Sequence, residues 1–213
     1  HRNQRGSCVS RRVVITGVGI ITPIGNDLPT VLEALATNRH GVVRMPEWKD
    51  IDGLEALLGG PASIPAGLEP PRKKARTMGR VSLLATAATE AALSDAGLDR
   101  ALLGSGRVGL YYGSTHGSSS ETEAFCRQLF ATSSLVGLPG TAYLKMMSHT
   151  CAANLAQHFG LRGEVVPTVA ACASASQGIG AGYQAIRSGR QDVALAGGAE
   201  ELHPTHAAVF ALV

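Results

Sequence analysis

Residues 166–180, which read VPTVAACASASQGIG, decide the fold and point to the chemistry. The run before Cys172 is short and rich in β-branched residues, which is typical of a buried strand. The residues after Cys172 are Ala, Ser and Gly, and we interpret residues 172–187 as a helix built from small side chains. The stretch therefore predicts a strand that delivers a cysteine to the N-terminal end of a helix.

A cysteine at the start of a helix has a reason to be reactive. The first N–H groups of a helix have no partner within it, and the helix dipole places partial positive charge at the same end. Both effects stabilise the thiolate, which is the nucleophilic form of the side chain. The small neighbours leave room for a substrate to reach the sulfur. Cys172 is thus a candidate nucleophile, and the alternative is a buried structural cysteine, the commoner fate of this residue type.

Strand and helix patterns alternate along the rest of the chain. We expect strands in four short β-branched runs, at residues 12–16, 108–112, 164–169 and 192–196. We expect helices in four apolar-periodic or Ala-rich stretches, at residues 28–35, 78–96, 121–130 and 141–159. Asp27 is the expected N-cap of the first of these helices. The alternation predicts an α/β domain with a mixed, mostly parallel sheet flanked by helices.

Composition and charge exclude several classes of protein. With 45% apolar and 16% charged residues among 213, the chain is too hydrophobic to be intrinsically disordered. A net charge of +3 is too weak for a dedicated nucleic-acid binder. Four cysteines without a CxxC pair predict neither a disulfide framework nor a zinc site, so we expect no metal and a cytoplasmic location. No apolar run reaches the roughly 18 residues of a membrane span.

Two N-terminal features need interpretation. Residues 1–10 are polar and basic, and we interpret them as a disordered leader or a cloning remnant ahead of one domain over 11–213. Gly17 and Gly19 resemble the start of a dinucleotide-binding fingerprint, but Thr22 replaces its third glycine and Pro23 breaks the register. We therefore interpret these glycines as sites of close backbone packing and expect no nucleotide cofactor.

Several stretches, taken in order, resemble the β-ketoacyl-acyl-carrier-protein synthases of thiolase fold, closest to types I and II of fatty-acid synthesis. The first is the segment around Cys172 itself. The others read VVITGVGIITPIGN at 13–26, AALSDAGL at 91–98, VGLYYGS at 108–114, FGLRG at 159–163 and SGRQDVALAGGAEE at 188–201. The resemblance runs from about Arg11 to Phe210, and the ordered set of blocks is far more specific than any one of them.

The resemblance implies an acyltransferase with two stages. An acyl chain passes from the phosphopantetheine of a carrier protein to Cys172, whose backbone N–H is one donor of the oxyanion hole. A malonyl unit then loses CO₂, and the resulting carbanion attacks the thioester. No cofactor is bound permanently, because phosphopantetheine arrives on the acyl carrier protein.

The same resemblance implies that the C-terminal half is absent. The family's catalytic histidines and supporting lysine lie in that half, so we expect this chain alone to give no condensation product. His203 and His206 do not match those blocks and are expected to be structural or at the rim of the pocket. Two alternatives remain open: a non-catalytic partner subunit like the chain-length factors, or an inactive fragment. Chain-length factors typically lack the nucleophile, so retention of Cys172 favours the synthase.

Three further positions follow from the resemblance as candidates for the acyl pocket. Thr115 and His116 come just after the strand over 108–112, where the family shapes that pocket, and Phe210 resembles an aromatic that walls it. The alternatives are polar turn residues for the first two and an ordinary core aromatic for the third.

A basic cluster is the candidate surface for the partner. Arg72, Lys73 and Arg76 match the family's segment that contacts the acidic carrier protein, and the alternative is a solvated helix face. The resemblance also implies a homodimer, or a heterodimer with a related subunit, joined at the helix over 141–159 and the strand before Cys172. We expect no nucleic acid or membrane among the partners.

Overall fold

The computed structural model describes residues 11–212. The predicted leader and Cys8 lie outside the described residues. In chain order the helices and strands are α1 Leu28–Ala36, β1 Val43–Arg44, β2 Leu58–Gly59, α2 Arg72–Ala75, α3 Arg80–Asp95, β3 Val108–Gly113, α4 Ser119–Thr132, α5 Ala142–Met146, α6 Thr150–Phe159, β4 Val165–Thr168, α7 Ser174–Arg187, β5 Val193–Gly198 and α8 Pro204–Ala211. Short 3₁₀ helices lie at Pro46–Trp48 and Arg100–Ser105.

A parallel sheet in the order β4-β3-β5 organises the domain. Leu110 of β3 pairs with Val165 of β4 on one side and with Leu195 of β5 on the other. Each parallel step requires a helical crossover, which α4 to α6 and then α7 supply. Strands β1 and β2 form a separate antiparallel pair. The expected α/β architecture is confirmed.

The alternation of side chains along β3 divides the core into two layers. Leu110 and Tyr112 are buried with residues of α3 and α6, including Leu155. Tyr111, on the opposite face, lies against α7, where its ring is close to the Gly182 position. Because neighbouring strand residues face opposite sides, helices cover both faces of the sheet. All six residues of β3 are buried, as expected for its central strand.

The N-terminal strand predicted at residues 12–16 is wrong. Val14 is 63% exposed and Ile15 is 85% exposed, and the segment forms no ladder with any described strand. It borders a largely apolar cavity of about 1080 Å³ that reaches to α3, α7 and β5. The apolar pattern is that of a strand, but a strand exists only where a second strand pairs with it, and none of the described residues supplies one.

Close packing explains the glycines that follow. A Cβ atom at Gly19 would lie 1.8 Å from the carbonyl oxygen of Ala88 on α3. The Val18 N–H donates at 2.9 Å to the carboxylate of Asp95, the last residue of α3. These glycines therefore lie against the side of α3 and open no helix, in agreement with the packing interpretation.

The single helix predicted at 141–159 is also wrong, because the chain breaks between α5 and α6. Met147 adopts extended backbone angles, with φ −76° and ψ 142°. The Asn154 side-chain amide donates to the Leu144 carbonyl at 2.9 Å and to the Thr77 carbonyl at 3.0 Å. The first bond satisfies a carbonyl group of α5 that the break leaves without a helical partner, and the second ties α6 to the segment before α3.

The other predicted elements agree with the structure within a few residues. Asp27 caps α1 as expected, since its carboxylate accepts the Thr30 N–H at 2.8 Å, and this bond lowers the pKa of Asp27. None of the helices among residues 11–212 has the length and the hydropathy needed to cross a membrane.

Candidate active site

Cys172 lies in the tight turn between β4 and α7, and its side chain is exposed. The turn is closed by the Ala173 N–H, which donates to the Ala170 carbonyl at 2.9 Å, and by the Ser174 N–H, which donates to the Ala171 carbonyl at 3.1 Å. Ala173 is the N-cap of α7, so Cys172 directly precedes the helix. The sulfur is thus at the carboxyl end of the sheet, beside a helix N-terminus, as the sequence predicts.

The residue before the cysteine has a backbone conformation that side chains rarely adopt. Ala171 has φ +47°, in the left-handed region, which costs a non-glycine residue about 1 kcal/mol or more. Its carbonyl accepts hydrogen bonds from Ser174 Oγ at 2.7 Å and from Thr115 Oγ1 at 3.1 Å. Ser174 Oγ also accepts the Ala170 N–H at 2.9 Å. These bonds stabilise the strained turn and fix the path of the chain into Cys172.

Close contact between β3 and α7 brings the hydroxyl groups of Thr115 and Ser174 together. A Cβ atom at Gly113, the last residue of β3, would lie 2.6 Å from the backbone carbon of Ser174. Thr168 Oγ1 at the end of β4 donates to the Ser174 carbonyl at 2.8 Å. Thr115 follows Gly113 by two residues, so its Oγ1 lies 3.0 Å from Ser174 Oγ.

Two adjacent glutamates after β5 contact different segments. Glu200 accepts the N–H of Thr115 and, at 3.3 Å, the hydroxyl of Ser114. Glu201 accepts the N–H of Ser120 at 2.6 Å at the start of α4. The alternation of side chains along an extended segment accounts for this divergence, because neighbouring residues point to opposite sides. The Glu200 carboxylate thereby holds the backbone of Thr115.

Three histidines gather next to this turn. His116 and His206 are stacked, with ring centroids 4.3 Å apart. His206 Nδ1 lies 3.1 Å from the Glu201 carbonyl and Nε2 lies 2.8 Å from the Ser119 hydroxyl. Burial, followed by the charge of His116, lowers the pKa of His206. The neutral form fits both contacts, with Nδ1–H donating to the carbonyl and Nε2 accepting from the hydroxyl.

His203 has a structural position. Its Nδ1 caps α8 by accepting the Thr205 N–H at 3.4 Å, and its Nε2 lies 3.0 Å from the Glu123 carboxylate on α4. The Arg127 hydrogen bond, and then that of His203, hold the pKa of Glu123 below its usual range. His203 thereby ties α8 to α4, in keeping with the expectation of a structural histidine. Within residues 11–212, no three His, Cys, Asp or Glu side chains are arranged to hold a metal ion.

The three residues predicted for the acyl pocket, Thr115, His116 and Phe210, do not enclose a common space. Thr115 is half-buried, and its hydroxyl is engaged by Ala171. His116 is exposed apart from its stacking contact. Phe210 lies on α8 with 73% of its surface exposed. Their role in an acyl pocket stays a prediction.

The predicted carrier-binding residues form an exposed basic surface. Arg72 and Lys73 lie on the short helix α2, and Arg76 follows it directly. Two neighbours, Lys74 and Arg80, donate instead to backbone carbonyls of other segments, at 3.0 and 2.6 Å. The three predicted residues are exposed, as is Lys74, and their role stays a prediction.

Sequence reasoning missed the residues that shape the turn. Ser174 is buried at the start of α7 and bonds to Ala170 and Ala171, while Thr168 bonds to Ser174. A serine in the first turn of a predicted helix indicates local hydrogen bonds to the backbone, so the sequence does contain a signal for Ser174. The contact with Thr115, which is 59 residues away along the chain, has no such signal.

Comparison with known proteins agrees with this geometry. The family described as "Beta-ketoacyl synthase, N-terminal domain" matches residues 10–212. The 3-oxoacyl-[acyl-carrier-protein] synthase 1 of Escherichia coli K12 is 34% identical over 199 residues, and that of Haemophilus influenzae is 32% identical over 192. Each match covers 90% of this chain and 47% of the relative. The chain therefore spans about half the length of these curated relatives.

Solved structures show the same relation. A β-ketoacyl synthase from Burkholderia phymatum STM815 superposes with a TM-score of 0.85 at 40% identity, over 93% of this chain and 49% of that one. The ishigamide ketosynthase/chain length factor superposes with a TM-score of 0.80 at 25% identity, over 96% of this chain and 51% of that one. The fold is thus the thiolase-like fold of the ketosynthases, and the chain belongs to the β-ketoacyl synthase family, whose N-terminal domain it matches.

Proposed function

We propose that this chain carries the acyl-accepting site of a β-ketoacyl-acyl-carrier-protein synthase, with Cys172 as the nucleophile. The observation that carries the proposal is the position of Cys172: exposed, at the carboxyl end of a parallel sheet, directly before the N-terminus of α7. Ligands of open α/β sheets bind at this edge, and the N-terminus of a helix favours negative charge.

The proposed step is transthioesterification. The thiolate of Cys172 attacks the carbonyl carbon of an acyl thioester, and the carbonyl π pair moves onto oxygen. The Cys172 N–H donates to that oxyanion. The intermediate then collapses, the bond to the phosphopantetheine sulfur breaks, and that sulfur leaves as a thiolate that takes up a proton. The product is an acyl-Cys172 thioester, and neither oxidant nor cofactor is consumed.

The second stage, decarboxylative condensation with a malonyl unit, is proposed for the whole protein. The relatives from E. coli and H. influenzae carry the name 3-oxoacyl-[acyl-carrier-protein] synthase, and this chain spans about half of their length. Acyl transfer requires a nucleophile and an oxyanion donor, and Cys172 supplies both through its sulfur and its N–H, so it is the part of the reaction that we assign to this chain.

The first experiment measures acyl loading. The chain is incubated with an acyl-pantetheine thioester, and its mass is followed before and after digestion. We expect one acyl group per chain, on the peptide that contains Cys172, and release by neutral hydroxylamine as a thioester requires. An acyl group carried mainly by another peptide, or no loading at all, would contradict the proposed function.

The proposed partner is an acidic acyl carrier protein that delivers the phosphopantetheine. Arg72, Lys73 and Arg76 support this because they are exposed and of one sign, and complementary charge mainly accelerates association. In the double variant Arg72→Glu/Lys73→Glu we expect about tenfold slower loading from acyl carrier protein at low salt, but unchanged loading from acyl-pantetheine. Lys49→Glu reverses one exposed charge elsewhere and is the control for the position of the reversal. Equal slowing with both donors would contradict the carrier surface.

A chain-length-factor-like subunit is the second candidate. It is favoured by the structural likeness to the ishigamide ketosynthase/chain length factor. The loading experiment separates the two, because a subunit that only shapes a partner's pocket takes up no acyl group.

We also propose that a second copy, or a related subunit, pairs with this chain along β4. Only β3 neighbours β4 within the described sheet, so the outer edge of β4 is open. Sedimentation velocity tests this, with a dimer as the expected species.

The cysteines at 126, 151 and 172 are free thiols, which fits the cytoplasmic setting that we propose.

A further inference from the structure

The Ala171 carbonyl has an unusual number of hydrogen bonds for one exposed turn. It accepts from the Ser174 N–H at 3.1 Å, from Ser174 Oγ at 2.7 Å and from Thr115 Oγ1 at 3.1 Å. A carbonyl oxygen has two lone pairs, so these three donors exceed them, and the single hydrogen of the Thr115 hydroxyl is shared between this carbonyl and Ser174 Oγ, which lies 3.0 Å from Thr115 Oγ1. We call Thr115, Ser174 and the carbonyl of Ala171 the elbow clamp.

The elbow clamp acts on the same peptide unit that contains the Cys172 N–H. The Ala171 carbonyl and the Cys172 N–H belong to one planar, trans peptide group, so they point in opposite directions. Fixing the oxygen toward Thr115 and Ser174 therefore fixes the direction of the N–H on the other side. Hydrogen bonds to a carbonyl also polarise its peptide group and make the N–H a stronger donor.

The clamp is itself held by two further hydrogen bonds, one buried and one exposed. Ser174 is buried, and Thr168 Oγ1 donates to its carbonyl at 2.8 Å. The Thr115 backbone N–H donates to the Glu200 carboxylate, which fixes the threonine at the end of β3. Ala171 has a left-handed φ of +47°, which is unfavourable for an alanine. Without the hydrogen bonds of the clamp, Ala171 would relax out of this region, and the peptide group that it shares with Cys172 would rotate.

We infer that Thr115 is a positioning residue: its hydroxyl, with that of Ser174, aims the Cys172 N–H at the oxyanion of the acyl-transfer step. The inference rests on the proposed function of Cys172. It gives Thr115 a task other than lining the acyl pocket, since its hydroxyl is turned toward the Ala171 carbonyl at 3.1 Å.

The test compares two reactions of the same sulfur. Acyl transfer passes through an oxyanion, whereas alkylation by iodoacetamide is a direct displacement at carbon that forms none. Thr115→Val removes the hydroxyl and keeps the shape of the side chain. We expect the rate constant of acyl transfer at saturating acyl-pantetheine to fall about tenfold, with KM changed less than about twofold. Alkylation of Cys172 is expected to stay within about twofold of the original chain.

Two further variants control the experiment. Thr115→Ser keeps the hydroxyl and is expected to restore most of the acyl-transfer rate. Thr37→Val removes a hydroxyl that donates to the Glu33 carbonyl at 2.8 Å, at the end of α1, and is expected to change neither reaction. Thermal melting of each variant shows whether it is folded.

The possible outcomes are distinct. Equal loss of acyl transfer and alkylation in Thr115→Val, or a loss that Thr115→Ser does not restore, would overturn the positioning role while leaving Cys172 as the nucleophile. Unchanged acyl transfer in Thr115→Val would overturn it as well. If the unsubstituted chain takes up no acyl group but its Cys172 is alkylated normally, the proposed function fails, and the positioning role fails with it.

Discussion

Two cysteines stand at the starts of two helices, and their surroundings differ completely. Cys151 is the second residue of α6 and is 2% exposed, within the core that α3 and α6 form with the sheet. Cys172 directly precedes α7 and is exposed at the edge of the sheet. Burial raises the pKa of Cys151 to about 12, although Ser82 lowers it through a hydrogen bond.

The comparison shows that a helix N-terminus does not by itself make a thiol reactive. Any stabilisation of the thiolate by the first turn of α6 is outweighed by the loss of solvent around Cys151. At α7 the left-handed Ala171 turns the chain so that the next residue lies outside the core. Exposure, and not proximity to the helix end alone, distinguishes the candidate nucleophile from the structural cysteine.

The largest expected effect separates the two cysteines by substitution. Cys172→Ala is expected to lower acyl loading from acyl-pantetheine by more than about 100-fold, because the nucleophile is lost. Cys151→Ala is expected to load at about the original rate but to lower the free energy of unfolding by about 1–2 kcal/mol, because it leaves a small void in the core. Mass spectrometry and urea denaturation measure the two effects. Loss of loading in both variants, or in neither, would contradict the assignment of Cys172 as the nucleophile and of Cys151 as a structural residue.

The next prediction concerns the contact that places α7 against the sheet. A Cβ atom at Gly178 would lie 2.6 Å from the Tyr111 carbonyl, whereas one at Gly180 on the same helix would meet nothing within 4 Å. We expect Gly178→Ala to destabilise the fold by about 1–3 kcal/mol and Gly180→Ala to stabilise it by up to about 1 kcal/mol. Thermal and urea unfolding test the pair. Equal effects would show that α7 does not depend on this contact.

The last prediction concerns the dependence of stability on pH. The thiol of Cys151 stays neutral in the folded chain up to a pKa of about 12, whereas it ionises near its ordinary value of 9.0 once unfolded. The unfolded state then holds fewer protons, so this contribution is complete below pH 9 and is lost as the pH rises toward 12. Between pH 8 and pH 10 we expect Cys172→Ala to lose about 1.4 kcal/mol more unfolding free energy than Cys151→Ala.

Comparing the two cysteine variants removes the contribution of other groups that ionise at alkaline pH. Burial also raises the pKa of Tyr111 and of Tyr112, which adds an alkaline loss common to every variant. Only the difference between the two cysteine variants is therefore informative. Identical slopes would mean that Cys151 ionises as easily in the folded chain as in the unfolded one.

The order of strand, cysteine and helix could be predicted from sequence because each part rests on local pattern. The β-branched run before Cys172 and the small residues after it carry that information within 15 positions. The elbow clamp could not be predicted in the same way. It depends on Thr115, which reaches Ala171 across 56 positions of the chain, and on a positive φ that the alanine itself gives no reason to expect.

The two wrong elements have different causes. The run at 12–16 has the composition of a strand, yet none of the described strands pairs with it. The run at 141–159 has the composition of a helix, yet the Asn154 amide binds the Leu144 carbonyl at 2.9 Å across the break. In the first run the lack of a pairing strand decides the outcome, and in the second a side-chain hydrogen bond does; local periodicity reports neither.

The most direct measurement is the ratio of alkylation rates of the two helix-start cysteines in the native chain. Iodoacetamide is added at neutral pH, the reaction is quenched at intervals, and peptide masses report each cysteine separately. Because Cys151 is 2% exposed and Cys172 is exposed, the account predicts that Cys172 reacts at least about 100-fold faster. Rates within tenfold of each other, or faster reaction at Cys151, would contradict the assignment of Cys172 as the nucleophile.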